Sequence, residues 1–358
     1  MYKFFFVCLL ICFFSCNREN NDIYISNTWD CTTLSDDSFD IASCFKSSEC
    51  IKLECCDKSR IGNVDKIIVH DSIYFVLDKR ISKKFFGFSR SGRHLFTFGS
   101  IGHGLKEYSS ICDISLDESN SCIYALCNRD KILVYNFDGK VINVMKLPFF
   151  AENMEFQKGK FYFICDDYDK GNLLITDEKF NILNSFFPRK EDGIGHFLIH
   201  PLQKCDDGSI AYYRYLDNNI YKVLDDNSLI AAYSVNFGSK ELKREDIIGK
   251  SESECKKYMN EKRGFIKYFS ENKDFAFILF FDENKPCVGV YNKNKNEGRA
   301  YPYHNIFDSK INRNYILMEY SLGNVFADVL ERDNILMNDK DKDSIFSKNN
   351  PILYIMKN

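Results

Sequence analysis

From residue 73 onward the chain alternates short apolar or aromatic runs with clusters of turn residues, and the runs come in threes. Residues 73–78, 84–89 and 94–99 form the first trio, with residues 90–93 as the turn between the last two. Residues 123–127, 132–136 and 141–147 form the second, around the turn at 137–140. The third is 161–165, 172–176 and 182–187, with its turn at 177–180, and the fourth is 210–213, 219–223 and 229–234, with its turn at 225–227. Runs of this length, rich in β-branched and aromatic residues and bounded by Gly, Asn, Asp and Ser, are strands, and the turns between them make hairpins.

A further strand-like segment precedes each trio, as at 112–116, so the repeat is four antiparallel strands, the unit of a β-propeller blade. Residues 275–281 and 287–291 predict a fifth blade and residues 324–358, ending in the run 351–356, a sixth. The expected fold is all-β, a six-bladed propeller of four-stranded antiparallel blades; dividing 61–358 by six gives roughly 50 residues per blade. The run at 50–54 has no hairpin partner of its own and is expected to join the last blade, because an open ring would leave strand edges unpaired. Residues 239–267 break the pattern. Ser251 to Glu254 forms a capping box and Gly264 a stop signal, which predicts one short helical insertion, polar nearly all round over 257–262 and so solvated.

Composition narrows the function. Lys and Arg number 48 against 51 Asp and Glu, for a formal net charge of -3, so the chain carries no basic footprint for nucleic acid. The 15 cysteines include no Cys-x-x-Cys pair, and most stand singly inside apolar runs, so buried thiols are expected over a disulfide framework or zinc site. Cys31, Cys44 and Cys50 are the best candidates for any bridge.

The first sixteen residues read Met1, Tyr2 and Lys3, the uncharged run 4–14, then Ser15 and Cys16, the layout of a secretory signal too short to span a bilayer. Residues 13–16 resemble a bacterial lipobox, with the bulky Phe14 departing from the usual small residue, and Cys16 is the expected lipidation site. The organisation that follows is a lipoprotein signal peptide at 1–15, a tether and extension at 16–45, and the propeller at 46–358. An acidic Glu19 and Asp22 in the tether do not decide between a periplasmic and a surface-exposed face.

Two segments are more specific: 60–67, ahead of the first blade, and 98–108 after it, where Gly102, Gly104, Glu107 and Tyr108 match a Gly-rich turn and Leu105 and Lys106 replace its Pro and Gly. Together with the repeats they resemble the six-bladed β-propeller lipoproteins abundant in Bacteroides-type bacteria, related in architecture to NHL-repeat propellers. The resemblance implies a fold and an outer-membrane address in the cell envelope, and no reaction.

Three constellations suggest chemistry and fail on context. Gly99, Gly102 and Gly104 lead into a strand, whereas a phosphate loop must open a helix. His196 and His200, if on a strand, stand about 13 Å apart at roughly 3.3 Å per residue and cannot share one ion. Residues 339–343 alternate carboxylates, but the calcium-loop positions for Gly and Glu hold Ser344 and Asn350. No catalytic residue, metal ligand or cofactor is assigned. Two interblade loops carry functional groups at equivalent places: His103 and Glu107 in one, and Arg189, Lys190, Glu191 and His196 in the other. They are the candidate ligand surface of a monomeric, membrane-tethered binding or scaffold module for a protein or glycan. The alternative is a metal-dependent hydrolase or lyase with its site in the channel, and whether the chain is an enzyme stays open at this point.

Overall fold

Most inner strands are apolar runs of four to six residues buried nearly throughout, because each sheet is covered on both faces, and the intervening turns fold consecutive strands back on one another. A computed structural model describes residues 24–71, 73–165, 171–188, 201–205, 207–308, 313–314, 320–322, 325–330 and 350–358. Its N-terminal strands are β1 (Ile25–Asp30), β2 (Phe39–Asp40) and β3 (Ser47–Lys52). The first sheet follows as β4 (Lys66–His70), β5 (Ile73–Asp78), β6 (Lys84–Ser89) and β7 (His94–Phe98). The second is β8 (Ile111–Asp117), β9 (Cys122–Cys127), β10 (Lys131–Asn136) and β11 (Val141–Lys146), and the third β12 (Asn153–Gln157), β13 (Lys160–Ile164), β14 (Leu173–Asp177) and β15 (Ile182–Phe186).

The fourth trio also forms, as β16 (Leu202–Lys204), β17 (Ile210–Tyr213), β18 (Asn219–Val223) and β19 (Leu229–Asn236), but its sheet has five strands. β1 runs parallel to β19 from Ile25↔Ala231 to Asp30↔Asn236, covering an outer edge that would otherwise expose unpaired amides and carbonyls. After the helix α1 (Glu252–Glu261) come β20 (Arg263–Glu271), β21 (Phe275–Asp282), β22 (Lys285–Asn292) and β23 (Glu297–Pro302). β24 (Ile306–Asp308) and β25 (Arg313–Asn314) make a small sheet with β2, and β26 (Tyr320–Leu322), β27 (Val325–Leu330) and β28 (Ile352–Lys357) complete the last sheet with β3. The expectation of six four-stranded blades is therefore corrected: five blades are four-stranded, and the recruitment of β1 makes the remaining sheet different. The segment 25–45, expected as an extension, is built into sheets by β1 and β2.

The ends of the chain meet in the last sheet. β3 pairs antiparallel with β28 from Lys52↔Ile352 to Ser47↔Lys357, three residues ahead of the expected start at residue 50. Between neighbouring sheets lie apolar layers. Phe75 and Phe85 of the first sheet pack with Ile114 and Leu133 of the second, and Ile51, Leu353 and Ile355 of the last sheet pack on Ile67, Val76 and Phe86 of the first. Stacking adds to area burial, as in Phe85 and Phe98, whose ring centroids lie 4.3 Å apart. Trp29 of β1 is fully buried against Tyr233 and Tyr291, and fits only because position 298 is glycine; a Cβ there would stand 2.3 Å from Trp29 Cδ1.

Ser251 caps α1 through the expected capping box with Glu254. Two expectations change. The helix stops at Lys262, and Gly264 lies inside β20 with φ +148, because the Arg263 guanidinium is drawn to Asp282 Oδ2 and to the carbonyls of Cys31 and Thr32. One face of the insertion is also packed: Cys255, Tyr258 and Met259 lie against Leu216, Leu242 and Ile247. The twelve described cysteines are all free thiols, with Cys31 and Cys44 buried and Cys50 exposed. Among the described residues no helix is long and apolar enough to cross a membrane.

Asn350 ties the two chain ends together beside β28: its carboxamide donates to the carbonyls of Glu54 and Ser59 at 2.7 and 2.6 Å and accepts from the amide of Ile61 at 2.9 Å. Asn350→Ala removes all three bonds at the junction of the chain ends and is expected to cost roughly 2–4 kcal/mol in chemical denaturation, since a buried polar group that loses its partner costs about 1–3 kcal/mol. A loss below about 0.5 kcal/mol, the range of an ordinary surface substitution, would contradict this role.

Candidate functional site: the upper cavity and its ionic supports

In each up-and-down blade the first strand begins, and the second ends, at the same face of the disc. First strands also touch across the ring, β8 with β12 and β12 with β16 among them, so polar residues on them meet in the interior. Asp113 and Ser115 alternate to one side of β8 and face Glu155 of β12 and Lys66 of β4. Lys66 Nζ lies 3.0 Å from Asp113 Oδ1 and 2.6 Å from Glu155 Oε1, and the Ser115 hydroxyl donates to Glu155 Oε2 at 2.6 Å. Asp113 further accepts from the amides of Ile114 and Met154. Burial alone would lower the Lys66 pKa, but the two carboxylates outweigh it and raise it. Lys204 of β16 reaches the Leu116 carbonyl at 2.7 Å; there burial prevails, only partly offset by Glu155, and its pKa is lowered.

A second buried group joins the five-stranded sheet to β20. Lys222 Nζ lies 2.5 Å from Glu271 Oε1 and 2.9 Å from Asp207 Oδ2; Lys293 Nζ and the Tyr233 hydroxyl approach Glu271 Oε2 at 2.9 and 3.0 Å. Cys205, Asp207 and Glu271 offer donor atoms within 4.8 Å of one another, the spacing a metal ion requires. The donor set does not fit one: the Lys222 ammonium already lies among these groups, and burial raises the Cys205 pKa and keeps the thiol protonated.

Above this interior opens a cavity of about 330 Å³ on the face where first strands begin. Glu152 and Asn153 enter it from the start of β12, Cys112 from β8, Ile164 from the end of β13 and Asn172 from just ahead of β14. Lys79 closes one side, and Pro201 with Tyr212, Tyr213 and Arg214 the other. Glu152 is ion-paired with Arg129. Burial pushes the Cys112 thiol up to about 11, so it is protonated near neutral pH and is a poor nucleophile. The Tyr212 hydroxyl, its pKa raised by burial, donates to Asn172 Oδ1 at 2.5 Å.

The expected loop residues take different places. Glu107 folds its own turn: its carboxylate accepts from the Gly104 amide at 2.9 Å, and a Cβ at Gly102 would stand 2.1 Å from Glu107 Oε2. The Lys131 ammonium seizes the Glu107 carbonyl, and the Tyr108 hydroxyl donates to the Lys83 carbonyl at 2.8 Å. His103 is exposed in this turn, on the cavity's face of the disc, and neither it nor Glu107 lines the cavity. Arg189, Lys190, Glu191 and His196 lie outside the described residues, as do Cys16, His200 and residues 339–343. Sequence reasoning passed over Lys66, Asp113, Glu155, Lys222 and Glu271. The signal was present: charged residues interrupt apolar runs on the first strands at 113, 155 and 271.

Radial four-stranded blades around a polar interior define a β-propeller. Within that class, the chain belongs to the family described as Domain of unknown function (DUF4934), whose model matches residues 26–357. The match is to this family and not to an NHL-repeat family. Its fold is similar to that of a Bacteroides fragilis protein assigned as exported, with a TM-score of 0.73 at 18% identity over 93% of this chain and 100% of that one. It is also similar to a DUF4221-family member from Bacteroides vulgatus, with a TM-score of 0.52 at 8% identity over 88% and 98% of the two chains. No curated protein matches the sequence.

Glu271 sets an acid limit on stability. Its burial works to raise its pKa, but the Lys222 and Lys293 charges outweigh this and hold it below the ordinary 4.5. A carboxylate depressed on folding stabilises above its unfolded pKa, and that contribution disappears as pH falls through the folded value. Glu271→Gln is therefore expected to be less stable than wild type near about pH 7, with a smaller gap at about pH 3. Denaturation midpoints at both pH values check this; a gap that persists or widens in acid would contradict it.

Proposed function

We propose that this propeller is a lipid-anchored, non-catalytic binding or scaffold module of the bacterial cell envelope, tethered through Cys16 in the outer membrane and receiving a glycan or protein segment in its upper cavity. The observation that carries the reading is that the cavity gathers side chains from four successive sheets at one mouth, while the acidic clusters beneath it are held by lysines. Such a site favours recognition over metal-assisted hydrolysis, because the carboxylates that could ligate an ion are already neutralised. Similarity to an exported Bacteroides protein supports the envelope address.

The course of β1 supports an orientation. It runs parallel to β19, which leaves its hairpin turn on the face opposite the cavity, so Ile25 starts at that lower face. Cys16 lies nine residues earlier, a reach of roughly 30 Å when extended. An anchor there holds the lower face toward the membrane and turns the cavity away from it.

Two readouts on the full chain test the proposal. Cys16→Ser is expected to abolish incorporation of labelled fatty acid and to release the protein from the membrane fraction; retained label would remove the anchor. Asn153→Tyr, which narrows the cavity, is expected to abolish retention of oligosaccharides on a glycan array while leaving the melting temperature within a few degrees. Retention equal to wild type would place binding elsewhere on the disc.

A further inference from the structure

Among the described residues the cavity lining carries two cations, Lys79 and Arg214, against the single carboxylate of Glu152, and Arg214 is where the imbalance concentrates. Glu152 is committed to Arg129. Lys79 lines the opposite side, and among the described residues its ammonium has no ion-pair partner. Among the described residues the only carboxylate ion-paired with Arg214 is that of Asp217, at 3.7 Å. That carboxylate is occupied by closer donors: its Oδ1 accepts from the backbone amide and the carboxamide of Asn219, each at 3.0 Å, and its Oδ2 from the Tyr221 hydroxyl at 2.8 Å. Arg214 Nε is buried with no hydrogen-bond partner. The guanidinium rests 4.2 Å from the centroid of the Phe187 ring, which fixes its orientation, and its described polar neighbours are the Tyr212 hydroxyl and the distant Asp217 carboxylate.

Two further observations describe what accompanies the anion. The Asn153 carboxamide, with the Asn172 and Glu152 side chains beside it already hydrogen-bonded or ion-paired, supplies a donor and an acceptor suited to hydroxyl groups. Arg214 also lines a larger adjoining groove of about 870 Å³, which runs between the end of the five-stranded sheet and the base of the insertion at residues 241–245. A ligand held at Arg214 can therefore continue past it, as a chain does and a free small anion does not.

Resting on the cavity being the ligand site, we infer that it recognises an acidic oligosaccharide, with Arg214 and Lys79 receiving the carboxylate of one sugar-acid unit and the neighbouring Asn153 carboxamide its hydroxyls. A planar guanidinium offers a carboxylate two parallel donors, and such charge-assisted pairs are about twice as strong as neutral hydrogen bonds. Arg214 is accordingly the specificity-determining residue.

Calorimetric titration of the full chain with trigalacturonate, neutral galactotriose and acetate tests this, with Arg214→Ala, Arg214→Lys and Lys79→Met beside wild type and melting temperatures as the folding control. Trigalacturonate is expected to bind roughly ten- to a hundredfold more tightly than galactotriose, a difference of about 1.4–2.8 kcal/mol. Arg214→Ala should erase that preference without weakening galactotriose, Arg214→Lys should retain part of it, and Lys79→Met should reduce it. Equal affinity for the two trisaccharides, or a preference that survives in Arg214→Ala, would overturn the anion inference and leave the cavity reading standing. Acetate binding as tightly as trigalacturonate would overturn the oligosaccharide part. Binding of neither trisaccharide would overturn this inference, and only the additional absence of every oligosaccharide on the array would overturn the cavity reading with it. Should Arg214→Ala fail to fold, Arg214→Lys and Lys79→Met carry the same comparison.

Discussion

The pairing of β3 with β28 is the interaction on which the rest of this molecule depends. Each sheet buries its faces only against its neighbours, so the apolar layers form a circuit rather than one central core. Without the backbone hydrogen bonds between residues 47–52 and 352–357, the first and last sheets would each present an open apolar face. Closure also fixes the first strands relative to one another, which brings Lys66, Asp113 and Glu155 from three different sheets within hydrogen-bond reach. The N-terminal segment supports the same circuit from outside, through Trp29 between two sheets and the Arg263 contacts to Cys31 and Thr32.

The polar interior follows from this geometry and shapes function. Charges inside a ring of sheets must be paired, since a buried ion left alone costs several kcal/mol. Lysines from neighbouring sheets satisfy the carboxylates here, and in doing so they give the interior registration between sheets instead of open ligand positions. In the proposed binding role, recognition falls to the mouth above, where Lys79 and Arg214 face the cavity. Division of labour between a neutralised interior and the mouth above it is the physical basis of the proposed binding role.

Much of the architecture was legible in the sequence because strand and hairpin signals are local. The four trios became β5–β7, β9–β11, β13–β15 and β17–β19, and the Ser251 capping box marked α1 correctly. What depends on contacts between distant residues was not legible. Nothing near Ile25–Asp30 shows that β1 will extend the fourth sheet, because its partner lies some two hundred residues away. Gly264 looked like a helix stop, whereas long-range pull on Arg263 made it part of a strand. Glu107 and its glycines were correctly seen as one unit, but their chemistry is consumed within their own turn. The cavity residues Lys79, Asn153 and Arg214 were overlooked because no spacing marks them; only the ring brings them together.

Hydrogen exchange of the intact chain tests closure most directly, comparing peptides that cover residues 47–52 and 352–357 with those of β8 to β10. If the two ends latch the ring, both peptides exchange slowly, together, and at rates like those of the β8–β10 hairpins, because their amides open only when the circuit opens. Exchange of both at the rate of exposed loops, while β8–β10 remains protected, would show that the ring is held without them and would contradict the account.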